Sequence, residues 1–354
     1  METKKTIMAV ILACLPLMLR AQATKLTCWT TKGDASVLTA DGAVAKLADS
    51  IAAVDLRHTK GLTLDCTAAS PNCLYYTDAA TDVEGLPSAN VVCNGVCDGL
   101  LLTDAACFYC PMDFTATDAM LRFTPRRDSS DGQTGYSQAC HETVVLPFDA
   151  DFVMPANVNG PMPDGWLRAA RYMDYQDELM FIETDANCLW ANTPYLVSFA
   201  YAAYGTQILF CGQDKTVRKT SPVAVGTGNY RFAGTTMQEV GKFGYFRYYR
   251  APKPYFVHTG DGKPLEPFRC FIANDDIKIE DGDDETEPET PTDTPTAGWK
   301  LTYTVIDASP TGVGNGPRHV MPKAGKASGA YDLLGRRGPR GKGICVIGGV
   351  KVVR

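Results

Sequence analysis

Two closely spaced cysteine pairs, Cys93-Asn94-Gly95-Val96-Cys97 and Cys107-Phe108-Tyr109-Cys110, form the tightest cluster of reactive side chains in this 354-residue sequence. Four thiolates at short spacings are one way to hold a tetrahedral zinc ion. Only nine residues separate the two pairs, which is short for a zinc ribbon, and no βαβ pattern surrounds Cys107 and Cys110 to make them a thioredoxin-like redox pair. Of thirteen cysteines, Cys14 falls in an N-terminal apolar run, and the remaining twelve are an even number, enough for six disulfides. Disulfides, buried thiols and a metal site at Cys93, Cys97, Cys107 and Cys110 all stay open from spacing alone.

Other constellations are weaker. Cys140 and His141 are adjacent, and on the extended run that enters Val144 neighbouring side chains point to opposite faces, so the two cannot act directly as a nucleophilic dyad. His58, His141, His258 and His319 are scattered singly with no HExxH spacing, and there is no G-x-S-x-G elbow. Glu178 with Asp177, or Glu183 with Asp185, could be a glycosidase pair only if folding sets their carboxyls the right distance apart; a chain with 40 acidic residues produces such neighbours by chance. Gly312-Val313-Gly314-Asn315-Gly316 follows the strand-like Leu301 to Ile306, but Pro317 and the lack of an amphipathic helix remove the helix N-terminus a phosphate loop needs. Asp281, Asp283, Asp284 and Glu285 lack the spacing of a calcium loop. No catalytic, cofactor-binding or metal-ligating residue is assigned, and no cofactor is implied.

The elements that would carry these residues read as mostly β. Val144 to Phe148, Tyr195 to Tyr201, Gln207 to Cys211, Tyr230 to Gly234, Phe243 to Arg250, Tyr255 to His258 and Phe268 to Ala273 are short aromatic and β-branched runs between Gly, Pro, Asn and Asp. That punctuation predicts an antiparallel β-sandwich over residues 111–279. Phe243 to Tyr249 alternates as ordinary sheet packing does, although it could serve as a ligand platform. Residues 24–110 predict an N-terminal β layer. Leu62-Leu64, Leu74-Tyr76, Val91-Val92 and Leu100-Leu102 recur between Asn/Asp turns, as one or two solenoid-like coils would, either capping the sandwich or standing as an independent domain. Ala43 to Ala53 is the one helix candidate, with Val44, Leu47, Ala48 and Ile51 at helical spacing behind Asp41 as N-cap.

The ends have their own character. Lys4 and Lys5, the 13-residue apolar run Ile7 to Leu19 and Ala21-Gln22-Ala23 make residues 1–23 a secretory signal peptide, too short to span a bilayer at about 20 residues. Cys14 in Ile11-Leu12-Ala13-Cys14 is a passable lipidation site, which the continuing apolar run makes the lesser reading. No later stretch is long and apolar enough to be a membrane helix. A net charge of −6 argues against nucleic acid as a partner. Residues 280–298, acidic and rich in Pro and Thr, read as an extended linker before a small C-terminal β unit over 299–354. Within that unit, Ile344 to Ile347 and Val350 to Val353 flank Gly348-Gly349 as a tight hairpin, with Tyr331 to Leu334 as a third strand.

Tyr331, Asp332, Leu333, Gly335, Arg336, Arg337, Lys342, Gly343, Ile344, Gly348, Gly349, Lys351 and Val352 carry a resemblance. Together they resemble the C-terminal tails of secreted and surface proteins of the Bacteroidales, which are read as sorting signals by the type IX (Por) secretion system. Asn72 to Tyr76, Asn90 to Val92, Leu101 to Asp104, Phe108-Tyr109, Pro111, Phe114 to Ala116, Glu142 to Asp149 and Phe232 to Thr235 look similar to segments of secreted Bacteroidales proteins that often carry leucine-rich or fimbrillin-like surface modules. That second likeness covers about Cys28 to Ala273, and the cysteine content here departs from it. Both resemblances imply a secreted or outer-membrane-surface, adhesin-like, non-enzymatic protein. Its partners would be the export machinery through the tail, and host protein or glycan. The rival class is a carbohydrate-active enzyme or carbohydrate-binding module, for which a groove with exposed Trp166, Trp190 or a tyrosine row and two carboxylates about 5 to 10 Å apart across it would be the signs.

Overall fold

The computed structural model describes residues 24–125, 140–156, 166–175, 178–184, 189–199, 207–242, 244–249, 255–259, 262–274, 300–301, 303–306, 331–332, 344–347 and 350–353. Every regular element among them is a strand, so no helix among the described residues is long and apolar enough to cross a membrane. The first nine strands are β1 (Lys25–Thr30), β2 (Ala35–Thr39), β3 (Val44–Lys46), β4 (Ile51–Asp55), β5 (Lys60–Asp65), β6 (Leu74–Thr77), β7 (Asp82–Glu84), β8 (Val91–Cys93) and β9 (Val96–Thr103). β3, β5 and β7 stack in parallel on one side, and β4, β6 and β8 stack in parallel on the other.

This is the solenoid-like layer that the recurring apolar runs predict. Laddered residues lie 19 and 21 positions apart on one side (Val44, Thr63, Glu84). On the other they lie 21 and then 16 apart (Ala53 to Leu74, Tyr75 to Val91), so the coils have no fixed period to detect. Two buried asparagines clamp the corners. Asn72 Nδ2 donates to the carbonyls of Thr103 (2.8 Å) and Ala106 (2.7 Å) while its Oδ1 accepts from Thr103 N–H. Asn90 does the same with Leu101 N–H and the carbonyls of Leu101 and Pro71. Full pairing of each amide is what allows it to sit in the interior.

The helix expected over Ala43 to Ala53 is instead β3, a corner and β4. Val44, Leu47, Ala48 and Ile51 have helical spacing, but Ile51 N–H bonds Ala48 C=O in a tight turn and the chain reverses layers there. Parallel neighbours β5 and β6 satisfy the backbone of both flanking segments, which outweighs the local preference of an eleven-residue stretch. Ala45, Leu47 and Ile51 are buried, now between two sheets.

The central chain supplies β10 (Phe114–Phe123), β11 (Cys140–Val144), β12 (Phe152–Pro155), β13 (Leu167–Tyr175), β14 (Glu178–Thr184), β15 (Tyr195–Phe199) and β16 (Ile208–Val217). It continues with β17 (Val223–Val225), β18 (Arg231–Thr235), β19 (Glu239–Val240), β20 (Tyr245–Tyr249), β21 (Tyr255–His258), β22 (Pro264–Leu265) and β23 (Arg269–Ala273). After 26 further residues come β24 (Lys300–Leu301) and β25 (Tyr303–Ile306), and finally β26 (Tyr331–Asp332), β27 (Ile344–Ile347) and β28 (Val350–Val353).

One nine-stranded sheet, β12-β16-β10-β9-β8-β6-β4-β1-β2, joins coils and centre without a break at residue 110. One face packs on the β3-β5-β7 ladder, and the other on a five-stranded sheet, β11-β15-β13-β14-β25. β4 and β6 are accordingly apolar at almost every position, as strands buried on both faces must be. Along β15, Tyr195, Val197 and Phe199 point to the nine-stranded sheet, while Leu196 points to a six-stranded sheet, β17-β18-β23-β20-β21-β24. The result is four β layers with three apolar interfaces. Ten of the fourteen phenylalanines are fully buried in them, which places those rings in the core rather than on a ligand-facing surface. In β20, Phe246 and Tyr248 face inward and Arg247 outward, the packing arrangement rather than the platform.

Residues 300–306 return to this body. β24 adds to β21, and β25 adds in parallel to β14. Tyr303 anchors the return, its ring 5.5 Å from Phe181 and 5.8 Å from Phe256 and its hydroxyl 3.3 Å from that of Tyr248. Of the described strands after residue 299, β26, β27 and β28 form a separate sheet, and the Ile347–Val350 pairing brackets Gly348-Gly349 as the hairpin pattern predicts. The signal peptide over 1–23 with Cys14, the linker over 280–298 with Asp281, Asp283, Asp284 and Glu285, the Gly312 to Gly316 loop, Asp177, Asp185 and His319 lie outside the described residues.

Candidate functional site

A cleft of about 280 Å³ opens where three of the layers meet. Five separate segments line it: Lys32 from the β1–β2 turn, Val145 and Pro147 after β11, Asn192 before β15, Arg218 and Thr220 to Val223 from the end of β16 to the start of β17, and Gly234 to Glu239 from β18 to β19. Local chemistry shapes each wall. The β1–β2 turn requires Gly33, whose φ is +87° and whose absent Cβ would lie 3.0 Å from the Tyr109 ring. Gly234 lets β18 approach Val145, because a Cβ there would lie 2.8 Å from the valine side chain. Asn192 holds a φ of +51° that asparagine tolerates, with its N–H bonded to Leu146 C=O at 2.7 Å.

Backbone hydrogen bonds tie the walls together across long sequence distances. Gln238 N–H donates to Thr31 C=O at 2.8 Å, and Thr31 Oγ1 donates to Gln238 Oε1 at 2.9 Å. Thr220 N–H donates to Cys110 C=O and Cys110 N–H donates to Thr220 Oγ1, each at 2.8 Å. Lys219 N–H reaches Asp113 Oδ1 at 2.6 Å, and Phe108 N–H reaches Thr236 C=O at 2.6 Å. The lining is therefore held rigid before any ligand arrives. It carries two cations, Lys32 and Arg218, one carboxylate, Glu239, and the polar side chains of Asn192, Thr220, Ser221, Thr235, Thr236 and Gln238.

The residues singled out by sequence do not converge. Cys93 and Cys97 flank the β8–β9 turn, and strand alternation puts Cys93 on the exposed face and Cys97 in the core. Cys107 is half-buried, and Cys110 is buried with its thiol donating to Met112 C=O at 3.1 Å. Burial pushes the Cys97 thiol up to about 11 and the Cys110 thiol up to about 12, the reverse of what a nucleophilic thiolate needs. Among the described residues no group of three or more His, Cys, Asp or Glu is placed to hold a metal ion. Nine described cysteines, including all four of this cluster, are thiols.

Cys140 and His141 both lie on β11, opposite Phe199 and Ser198 of β15. His58 is an exposed corner residue whose Nδ1 sits 2.7 Å from Asp78 Oδ2, and the His258 ring packs edge-on to Phe246. Glu183 pairs with the exposed Arg168 at 3.4 Å, and Glu178 starts β14. Trp166 is buried against Phe199, while half-buried Trp190 lies under the Arg171 guanidinium at 4.8 Å. Buried Trp166 offers no open sugar-stacking face.

Two features escaped the sequence. The cleft residues are isolated hydroxyls, amides and cations in five turns, with no motif to connect them. The second is a buried charge cluster. Arg269 of β23 donates to Glu142 Oε2 of β11 (3.2 Å), to Asp104 Oδ2 beyond β9 (2.9 Å) and to Thr124 C=O (2.7 Å), with its guanidinium 3.8 Å over the Phe123 ring. Burial raises the Asp104 carboxyl above its ordinary value, and Arg269 pulls it back down. The available signal was a charged residue inside each of two otherwise apolar runs, Glu142 before Thr143-Val144-Val145 and Arg269 before Cys270-Phe271-Ile272. No family model, curated protein or solved structure matches this chain.

Proposed function

We propose that this protein is an exported, surface-delivered binding protein that contacts a glycan or protein partner in an adhesin-like role, with the cleft between Lys32 and Arg218 as its contact site. The observation that carries the reading is the composition of a preformed lining: six hydroxyl or amide side chains and two cations beside a single carboxylate. Such a set can orient a polar ligand through many hydrogen bonds. A glycosidase mechanism draws on two carboxyl groups about 5–10 Å apart, and Glu239 is the one carboxylate this lining holds. Delivery is supported by the leader pattern of residues 1–23 and the sorting-like tail, whose hairpin forms a sheet separate from the body.

Two measurements test the proposal. Fractionation of the native host should find the protein on the cell surface or in the medium, and deletion of Tyr331 to Arg354 should hold it inside the outer membrane. A cytoplasmic full-length product sinks the export reading, and undiminished surface delivery of the deletion removes the tail's role. A glycan and matrix-protein array probed with the purified protein and with Asn192→Ala/Thr236→Ala should show ligands lost only in the variant; identical profiles would move binding away from the cleft.

A further inference from the structure

The cleft's chemistry is one-sided. Neither Lys32 nor Arg218 has an ion-pair partner among the described residues, although both are exposed at the rim of a chain with net charge −6. The neutral groups beside them are turned into donors by the bonds they already make. Gln238 Oε1 accepts from the Thr31 hydroxyl, which leaves the Gln238 Nε2 hydrogens for a ligand. Thr220 Oγ1 accepts from Cys110 N–H, which leaves its O–H to donate outward. Ser221 and Thr236 add hydroxyls, and Glu239 is the sole purely accepting side chain.

A donor-rich lining of net charge +1, two cations less one carboxylate, selects an acceptor-rich anion. Its volume, about 280 Å³, lies just below the range of about 300–1,000 Å³ for small-molecule sites and admits one ring-sized unit rather than a folded surface. We infer that the cleft binds an acidic sugar residue, its carboxylate or sulfate held between Lys32 and Arg218 and its ring hydroxyls by Thr220, Ser221, Thr236 and Gln238. The inference rests on the binding reading above and names the ligand class for that site.

Titration calorimetry of the purified chain with galacturonic acid, galactose 6-sulfate, galactose and a glutamate-rich peptide tests it. The two acidic sugars should bind at least about tenfold more tightly than galactose, and raising the salt from about 0.05 M to about 0.5 M should weaken them. Lys32→Ala and Arg218→Ala should each cost at least about tenfold in acidic-sugar affinity, with melting temperature unchanged because both side chains are exposed and make no ion pair among the described residues. Preference for the carboxylate or for the sulfate identifies the acidic group, and either supports the inference. Equal affinity for galactose, or cation variants that bind as the parent does, overturns the acidic-sugar inference and leaves the binding reading standing. Binding of the peptide alone overturns it in favour of an acidic protein partner. Silence from all four probes, together with an array profile that the cleft variant does not alter, overturns both.

Discussion

Replacing Arg269 with Met should be the most damaging single polar change in the body. The guanidinium is 8% exposed and pairs with three carboxylates, the exposed Glu266 and the buried Asp104 and Glu142, whose side chains are 6% and 2% exposed, so its loss leaves the two buried acids without its charge. Breaking a buried ion pair from one side costs about 3–5 kcal/mol, more than the methionine recovers by packing on Phe123. With an m-value near the upper end of about 1–3 kcal/mol/M, the urea midpoint should fall by about 1 M or more. The deficit should also depend on pH. Burial already raises the Asp104 carboxyl and Arg269 opposes the rise, so the variant's folded-state value moves higher still. A raised folded pKa means the group favours folding when protonated, and that contribution disappears as pH climbs through the folded value. The variant's shortfall should therefore be larger at pH 7.5 than at pH 4.5. Adding Asp104→Asn and Glu142→Gln to Arg269→Met should return half or more of the loss. A loss below about 1 kcal/mol at pH 7.5, or one that pH does not change, would refute the view that this cluster is held by mutual charge compensation.

Tyr303→Ala should lower stability by about 2–4 kcal/mol in thermal denaturation, because its ring fills the space between Phe181, Phe256 and Tyr248, and truncation after residue 299 should do at least as much. Truncation after residue 330 should leave the melting temperature of the body unchanged; an equal fall for both truncations would mean that β24 and β25 do not belong to it. Gly85→Ala should unfold the coils or cost more than about 3 kcal/mol, since the added Cβ would collide with the Leu64 carbonyl oxygen at a φ of +81°, whereas Gly42→Ala, with open space around it, should cost about 1 kcal/mol. Comparable circular-dichroism melts for the two would contradict that packing. Iodoacetamide at pH 8 should modify Cys93 at least about a hundredfold faster than Cys97 or Cys110, read by peptide mass spectrometry, because those two thiols are buried and protonated. Similar rates would place Cys97 and Cys110 outside the core.

The β class, the coil recurrence and the Gly348-Gly349 hairpin were legible in the sequence because each is written in neighbouring residues: alternation, asparagine corners, two glycines between apolar runs. Where two local codes overlap, the reading failed. Val44, Leu47, Ala48 and Ile51 satisfy a helical spacing and two strands around a corner equally well, and only the parallel ladders from β5 and β6 decide between them. Tertiary structure also decided that residues 300–306 belong to the body, because Tyr303 finds its partners some 50 to 120 positions away, at Tyr248, Phe256 and Phe181. The cleft is the extreme case. Lys32, Asn192, Arg218 and Gln238 carry no signal one at a time, and their chemistry exists only because three layers of sheet bring five distant segments to one opening. Local sequence sets which strands can form. The burial of apolar faces on both sides of the inner sheets sets how they stack, and that stacking creates the site.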